Sequence, residues 1–202
     1  MTLWIAPQPL VLASKSPSRR RVLENAAIPA DIQPADIDER AVEAAAGPGG
    51  PGEAAQLLAR AKALAVSAAM PGRLVLGADQ TLALGQKRFS KPSGRAAAQA
   101  QLRDLAGRTH ELHSAFALAR DGNIVFEHCD VARLTMRPLS AATIANYLDA
   151  AGEAVTTSVG AYQIEGVGIQ LFERIDGDYF TILGLPLLPL LDWLRRHGFV
   201  AA

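Results

Sequence analysis

The sequence predicts an α/β fold with a mixed, partly antiparallel twisted sheet and flanking helices. Two long β-favouring runs, 109–120 and 123–139, are joined by Asp-Gly-Asn, which is a hairpin signal. Helical patterns separate the other β runs, without the regular βαβ alternation of a doubly wound fold. The 202 residues, half of them hydrophobic, can fill one full-sized core or two lobes that share a cleft, and we expect a single domain over 1–202.

The first half of the chain predicts a strand, a helix, a loop, a second helix and a strand pair. The run PLVLAS is short, apolar and β-favouring, and a helix is expected over 17–27 because its first turn tolerates a proline. The acidic segment 31–40 is expected to be extended, and the Gly- and Pro-rich run 44–53 to be a surface loop. A helix follows over 53–70, and then two strands that break at Gly77.

The second half adds the predicted hairpin, three further helices and two short strands. Ser93 is the expected N-cap of the first of these helices, and Gly107 its terminator. Two strands, 168–175 and 179–184, are expected to flank the turn Asp-Gly-Asp. The helices are predicted at 93–107, 140–152 and 185–198.

Composition excludes several classes of protein. Lys and Arg total 20 and so do Asp and Glu, while aromatic residues make up 5%, so neither the basic surface nor the stacking platforms of a nucleic-acid-binding module are expected. Charges or Gly and Pro interrupt every apolar run, so we expect no membrane span. A single cysteine cannot form an internal disulfide, and the N-terminus does not read as a secretory signal. A soluble cytoplasmic protein is expected.

The stretch LASKSPSRRRVLE has the groups that an anion pocket needs. Ser14, Ser16 and Ser18 supply hydroxyls, and the start of the predicted helix supplies backbone N–H groups. Basic side chains are disfavoured at a helix N-terminus, so Arg19, with Arg20 as support, suggests a bound anion such as phosphate. The alternative is a set of solvated arginines on a helix surface.

Carboxylates form the second candidate group. Asp79 follows an apolar strand and lies two residues after Gly77, so its side chain is expected to face a cleft, although an aspartate there is equally typical of a turn. Asp36, Asp38 and Glu39 add carboxylates of the kind that Mg²⁺ prefers. Acidic loops are common, so this segment alone is a weak signal.

The remaining polar residues are weaker signals. Lys62 and Lys91 can each meet a phosphate as a point charge, although each alone reads as a surface lysine. His110 and His113 would project from opposite faces of a strand, so a shared metal is not expected. Cys129 lies in an alternating apolar strand and is expected to pack.

Taken together, the motifs resemble the Maf family of nucleoside triphosphate pyrophosphatases. They are LASKSPSRRRVLE, DIDE, LARAKA, LVLGADQ, SKPSGRAAAQAQLRDLAGRTHELHSAFAL and GAYQIEGVGIQLFERIDGDYFTILGLPL, and the match extends from Leu10 to about Leu194. The resemblance implies a fold of the inosine-triphosphate-pyrophosphatase type, with a cleft between two lobes and often a homodimer. It implies hydrolysis between the α and β phosphates, which yields the monophosphate and pyrophosphate.

The resemblance also assigns roles. Four residues match positions that line the triphosphate, namely Ser14, Arg19, Lys62 and Lys91, and Lys91 is included among the catalytic candidates. Asp79 matches the proposed proton acceptor and Glu39 an acidic metal-binding position, so both are catalytic candidates and are expected to bind Mg²⁺, or alternatively Mn²⁺. Charge and position lower the barrier in such phosphoryl chemistry, which these residue types supply.

Three residues bear on the substrate. Family members that act on dTTP and UTP typically read SPRRR, GADT and YGIQG, whereas this chain has Ser18, Gln80 and Glu165 at the differing positions. Gln80 and Glu165 resemble the branch that prefers 7-methyl-GTP. A carboxylate suits the charged methylated ring, and an amide can bond a base or sugar. The alternatives are a dTTP/UTP pyrophosphatase and a nucleotide-binding regulator of cell division that does not hydrolyse its ligand.

Overall fold

The computed structural model describes residues 3–46 and 49–201, and within it the chain forms two compact units. The first unit consists of Met1–Gln80, His113–Val131 and Asp178–Ala202. The second unit consists of Thr81–Leu112 and Ala132–Gly177. Both units are therefore discontinuous in sequence.

A mixed sheet confirms the predicted α/β class. Among the described residues its strand order is β2-β1-β3-β5-β6-β7, with β4 paired to β3. β1 is parallel to both β2 and β3, whereas β3 with β4 and β6 with β7 are antiparallel. The strands are β1 Leu10–Leu12, β2 Ala30–Ile32, β3 Val75–Leu84, β4 Lys87–Phe89, β5 Thr109–Arg120, β6 Asn123–Met136 and β7 Phe172–Asp176.

Helices begin and end close to the predicted signals. Ser140 caps α5 with its hydroxyl, which accepts from the Thr143 backbone N–H at 3.1 Å, and Gly152 ends the helix with φ +57°. The α-helices are α1 Pro17–Asn25, α2 Glu39–Ala46, α3 Pro51–Ala69, α4 Arg95–Leu105, α5 Ala141–Ala151, α6 Tyr179–Ile182 and α7 Leu187–Arg196. None of the helices within 3–46 and 49–201 has the length and apolar composition needed to cross a bilayer.

Two strand predictions are wrong: the one at 179–184 entirely and the one at 168–175 in part. Residues 179–182 form helix α6, because the Asp178 carboxylate accepts from the backbone N–H groups of Phe180 and Thr181 and so starts a helical turn. The segment 168–175 begins as a 3-10 helix, Val167–Leu171, and only then continues as β7. A strong local cap therefore overrides β-propensity at 179–182.

The acidic segment and the glycine-rich run also differ from expectation. Residues from Glu39 to Ala46 form α2, and the Asp38 carboxylate accepts from the Ala41 N–H at 3.1 Å, as a helix cap does. Of the glycine-rich run, residues 44–46 end α2 and residues 51–53 begin α3, while Gly47 and Pro48 lie outside the described residues. Helix α4 begins after Gly94 without a side-chain cap, so the predicted role of Ser93 is wrong.

The core of the first unit lies between the sheet and helices α1 and α7. Leu10 and Leu12 of β1 and Leu76 of β3 are fully buried there, packed in one cluster with Leu190 and Leu194 of α7. Burying each of these side chains contributes roughly 1.5–3 kcal/mol. The apolar strands that precede Ser14 and Asp79 are thereby held rigidly at adjacent positions.

Helix α3 packs unusually close to β3, and Gly77 is the reason. A Cβ atom at Gly77 would lie 2.5 Å from the Ala63 backbone nitrogen and closer still to the Ala59 carbonyl oxygen. The predicted break at Gly77 is wrong, because β3 continues through it from Val75 to Leu84. Glycine here serves the close approach of a helix, not a turn.

The second unit has an aromatic core around a buried histidine. His110 Nε2 lies 2.7 Å from the Tyr162 hydroxyl, and both rings contact Phe172. Burial lowers the pKa of His110 to about 4. His110 is therefore a neutral core residue.

Candidate active site

The start of helix α1 builds its own polar pocket. Ser16 caps the helix by accepting from the Arg19 N–H at 3.4 Å, and the Ser16 N–H donates to Ser14 Oγ at 3.2 Å. Pro17 occupies the first helical position, where its missing N–H costs nothing. Ser14 is buried directly after β1, so its hydroxyl is fixed beside the helix start.

Arg19 is a buried cation bound by uncharged groups. Its Nε donates to the Gly184 carbonyl at 2.8 Å, and its Nη1 donates to the Ala78 carbonyl at 2.9 Å and to Ser14 Oγ at 3.2 Å. Burial lowers the pKa of Arg19, and the charges of Asp79 and Glu39 offset part of that shift. No carboxylate among the described residues pairs directly with the guanidinium, so its charge is available to an anion.

Lys62 on helix α3 lies between two carboxylates. Its Nζ is 2.6 Å from Asp79 Oδ1 and 2.7 Å from Glu39 Oε1. The close approach of α3 at Gly77 brings Lys62 to the strand that carries Asp79. The Lys62 and Asp79 side chains are only 11% and 13% exposed, so their attraction is screened far less than that of a surface pair.

Glu39 and Asp79 fit a divalent cation. Both carboxylates reach the same nitrogen atom, so their oxygens converge on one region. Mg²⁺ is commonly bound by one or two carboxylates, with water and substrate phosphate completing its shell. Within residues 3–46 and 49–201 no group of three or more His, Cys, Asp or Glu is placed to hold a metal, so these two carboxylates have no third such side chain beside them.

Gln80, the next residue after Asp79, is fixed in one orientation. Its Nε2 donates to Ser114 Oγ at 2.9 Å and to the carbonyl oxygens of Thr181 and Ile182 at 3.2 and 3.0 Å. Two carbonyl acceptors require the amide nitrogen on that side, so the oxygen faces the opposite side. Gln80 can therefore only accept a hydrogen bond from a ligand.

The other predicted residues lie at the edge of this cluster or in the second unit. Ser18 is half-buried in the first turn of α1, and Arg20 points away to an exposed ion pair with Glu24 at 2.6 Å. Lys91, after β4, and Glu165, in the turn before Val167–Leu171, are exposed residues of the second unit. Their roles toward substrate stay predictions.

Sequence reasoning missed the residues that support Arg19 and Gln80. Ser114 and Thr181 are fully buried polar residues in otherwise apolar stretches, which was the available signal. Gly184 has φ +89°, a conformation that favours glycine, and its carbonyl accepts from Arg19. Asp130 accepts from the Thr181 hydroxyl at 2.9 Å. These contacts join residues far apart in sequence, so no local pattern predicts them.

Comparisons with known proteins identify consistent relatives. The family model described as Maf-like protein matches residues 9–197. A nucleoside triphosphate pyrophosphatase of Rhodopseudomonas palustris (strain ATCC BAA-98 / CGA009) is 62% identical over 201 residues, covering 100% of both chains. A 7-methyl-GTP pyrophosphatase of Brucella abortus is 56% identical, covering 93% of this chain and 96% of that protein. Among solved structures, a HAM1 protein from Coxiella burnetii is 17% identical with a TM-score of 0.42, covering 63% of this chain and 72% of that one.

Proposed function

This chain belongs to the Maf-like protein family, and on that premise we propose that it hydrolyses nucleoside triphosphates to the monophosphate and pyrophosphate. The observation that carries the proposal is the buried guanidinium of Arg19 in one unit with the Lys62–Asp79 pair. A desolvated cation without a carboxylate partner attracts a polyanion strongly, and a nearby carboxylate can direct water at it. The relatives that carry the pyrophosphatase name support the same reaction.

The site divides the chemical work between binding and proton transfer. Arg19 and the Ser14 hydroxyl bind phosphate oxygens, and Lys62 adds a second positive charge. Asp79 uses Oδ1 to accept from Lys62, which leaves Oδ2 to orient a water molecule. The water oxygen bonds to phosphorus at the α–β bridge, the bridging P–O bond breaks, and Asp79 accepts the proton while pyrophosphate leaves.

We place a divalent cation, Mg²⁺ or alternatively Mn²⁺, at Glu39 and Asp79. Bound there, it would neutralise phosphate charge and make water more acidic. Glu39 and Asp79 are also the two acceptors of Lys62 Nζ. A cation held there would compete with the ammonium for these carboxylates, which would leave Lys62 available to the phosphates.

A preference for 7-methyl-GTP is the finer part of the proposal. The motifs GADQ and YQIEG, which contain Gln80 and Glu165, support it, as does the Brucella relative of that name. Gln80 is fixed as an acceptor, which suits an N–H or amino group of a base or a sugar hydroxyl. Glu165 would accept from the guanine N1–H and amino edge and attract the charged ring. A dTTP or UTP substrate is the alternative.

Product analysis over a panel of nucleotides tests both levels of the proposal. The purified protein with Mg²⁺ is incubated with 7-methyl-GTP, GTP, dTTP and UTP, and pyrophosphate and phosphate are separated by ³¹P NMR. We expect pyrophosphate, with 7-methyl-GTP the best substrate. Binding of every nucleotide without turnover would favour the non-hydrolysing regulator, and preferred release from dTTP or UTP would favour the alternative substrate.

Glu165→Gln tests the charge argument for the base. In this variant the preference for 7-methyl-GTP over GTP is expected to fall about tenfold, because a neutral amide does not attract the positive ring. Glu173→Gln, a substitution of an exposed carboxylate on β7, is the matched control and is expected to keep the wild-type ratio. An unchanged ratio in Glu165→Gln removes Glu165 from the account of specificity.

A further inference from the structure

We propose that Thr181, anchored by Asp130, is a positioning residue of the triphosphate site that fixes Arg19 through the Gly184 carbonyl. The inference rests on the proposed function, because it assigns Arg19 to phosphate binding. Thr181 is fully buried, so it acts on substrate only through the residues that it contacts. Its effect on triphosphate binding is therefore an effect on the geometry of Arg19.

The side chain of Thr181 ties helix α6 to strand β6. Its hydroxyl donates to Asp130 Oδ2 at 2.9 Å, and Asp130 belongs to the part of β6 that lies in the first unit. A hydrogen bond to a carboxylate is about twice as strong as one between neutral groups. A helix of four residues has little stability of its own, so the hydrogen bond between Thr181 and Asp130 helps to fix the position of α6.

The backbone carbonyl of Thr181 accepts three hydrogen bonds. It accepts from Ser114 Oγ at 2.6 Å, from Gln80 Nε2 at 3.2 Å and from the Gly184 N–H at 3.1 Å. The Thr181 carbonyl thus contacts Ser114 on β5, the side-chain amide of Gln80 and the backbone of Gly184 after α6. A shift of Thr181 moves all three together.

Gly184 links Thr181 to Arg19 through two hydrogen bonds. Its N–H is fixed by the Thr181 carbonyl, and its own carbonyl accepts from Arg19 Nε at 2.8 Å. The left-handed backbone at Gly184, φ +89°, turns the chain so that its Cα side lies against the guanidinium, where a Cβ would be 3.5 Å from Nε. Because a guanidinium is a planar fork, fixing Nε fixes the directions of the remaining N–H groups.

Hydrogen bonds from a guanidinium to phosphate depend strongly on the direction of the N–H groups. If the Gly184 carbonyl is less well fixed, Arg19 is expected to bind the triphosphate more weakly. Loss of an interaction that is made equally in the substrate complex and in the transition state raises KM and leaves kcat nearly unchanged. A merely structural role for Thr181 would instead lower the folded fraction. These consequences separate the two explanations experimentally.

Thr181→Val is the direct test, because valine keeps the shape and removes the hydroxyl. We expect the KM for nucleotide to rise at least about fivefold with kcat within about twofold. Thr181→Ser is expected to restore KM, since it keeps the hydroxyl. Asp130→Ala removes the acceptor from a partly exposed position and is expected to reproduce the KM rise.

A double-mutant cycle with Arg19→Lys tests the route through Arg19. In that background Thr181→Val is expected to change KM by less than about twofold, because the fork it positions is already gone. Ser67→Ala is the control: it removes another buried hydroxyl of the first unit, one that accepts from the Gly122 N–H, and is expected to leave KM unchanged.

The outcomes are distinguishable. An unchanged KM in Thr181→Val, or a full further rise in the Arg19→Lys background, overturns the positioning role while pyrophosphate release by the wild type stands. Binding of inorganic tripolyphosphate, followed by calorimetry, gives a readout that needs no hydrolysis: Thr181→Val is expected to weaken it by the same factor as KM. Failure of the wild type to release pyrophosphate overturns the proposed function itself.

Discussion

Lys62 Nζ and Asp79 Oδ1 lie 2.6 Å apart, and the same nitrogen is 2.7 Å from Glu39 Oε1. One ammonium thus shares two carboxylates, while the guanidinium of Arg19 donates to two backbone carbonyls and a hydroxyl. In the proposed function, the Arg19 guanidinium binds phosphate, and Lys62 would bind it when a cation occupies Glu39 and Asp79.

Replacing Lys62 should affect nucleotide and metal in opposite directions. Lys62→Gln is expected to raise the nucleotide KM about tenfold, because a charge-assisted phosphate contact is lost. The Mg²⁺ concentration for half-maximal activity should fall, since the ammonium no longer competes for Asp79 and Glu39. Steady-state kinetics at varied Mg²⁺ measures both. Lys87→Gln, which breaks an exposed pair with Asp104, is the control, and a higher Mg²⁺ requirement in Lys62→Gln would contradict the shared-carboxylate account.

Replacement of Arg19 by lysine should weaken nucleotide binding. Arg19→Lys keeps the charge but cannot serve Gly184, Ala78 and Ser14 together, so we expect at least a tenfold rise in the nucleotide KM. Arg20→Lys, on the exposed face of α1, is the matched control and should retain wild-type kinetics. Equal kinetics for the two variants would remove Arg19 from the phosphate site.

Gly77 should be intolerant of even a methyl group. Gly77→Ala places a Cβ within 2.5 Å of the Ala63 backbone nitrogen, and overpacking of this kind costs about 1–3 kcal/mol or more. Urea unfolding of the variant should show a lower midpoint, with lower activity because α3 and Lys62 move away from Asp79. Gly94→Ala, where a Cβ meets nothing within 4 Å and the backbone is extended, should unfold like the wild type.

His110 should make the protein sensitive to mild acid. Its pKa is about 4 when folded against 6.5 as the ordinary value, so the unfolded state binds the proton first as the pH falls. The stabilising contribution is fully present above pH 6.5 and is lost as the pH falls from 6.5 towards 4, by about 3 kcal/mol in total. Urea unfolding measured from pH 7.5 to 4.5 checks this.

His110→Phe should flatten that pH dependence, because it removes the titrating ring from the core. His197→Gln, which changes an exposed histidine on the turn after α7, should keep the wild-type slope. A wild-type slope in His110→Phe would mean that other groups cause the acid sensitivity.

Local patterns predicted much of the fold, and they failed where contacts between distant parts of the chain determine the structure. The hairpin of β5 and β6 followed from residue alternation and a turn in which Asp121 and Gly122 adopt positive φ. Gly77 was misread because only tertiary packing shows the helix above it. The structure brings the predicted residues Arg19, Lys62 and Asp79 into one unit. The bonds of Arg19 to Gly184 and of Gln80 to Thr181 join residues more than a hundred positions apart in sequence, so no local pattern predicts them.

The central claim is that Asp79 directs water while the cations hold the triphosphate, and pyrophosphate release by Asp79→Asn tests it most directly. Release should fall at least about a hundredfold, while the nucleotide dissociation constant measured by calorimetry stays within about threefold of wild type. Asp192→Asn, which alters an exposed carboxylate on α7, should leave both values unchanged. Near-normal release from Asp79→Asn would show that another group activates the water and would contradict the account.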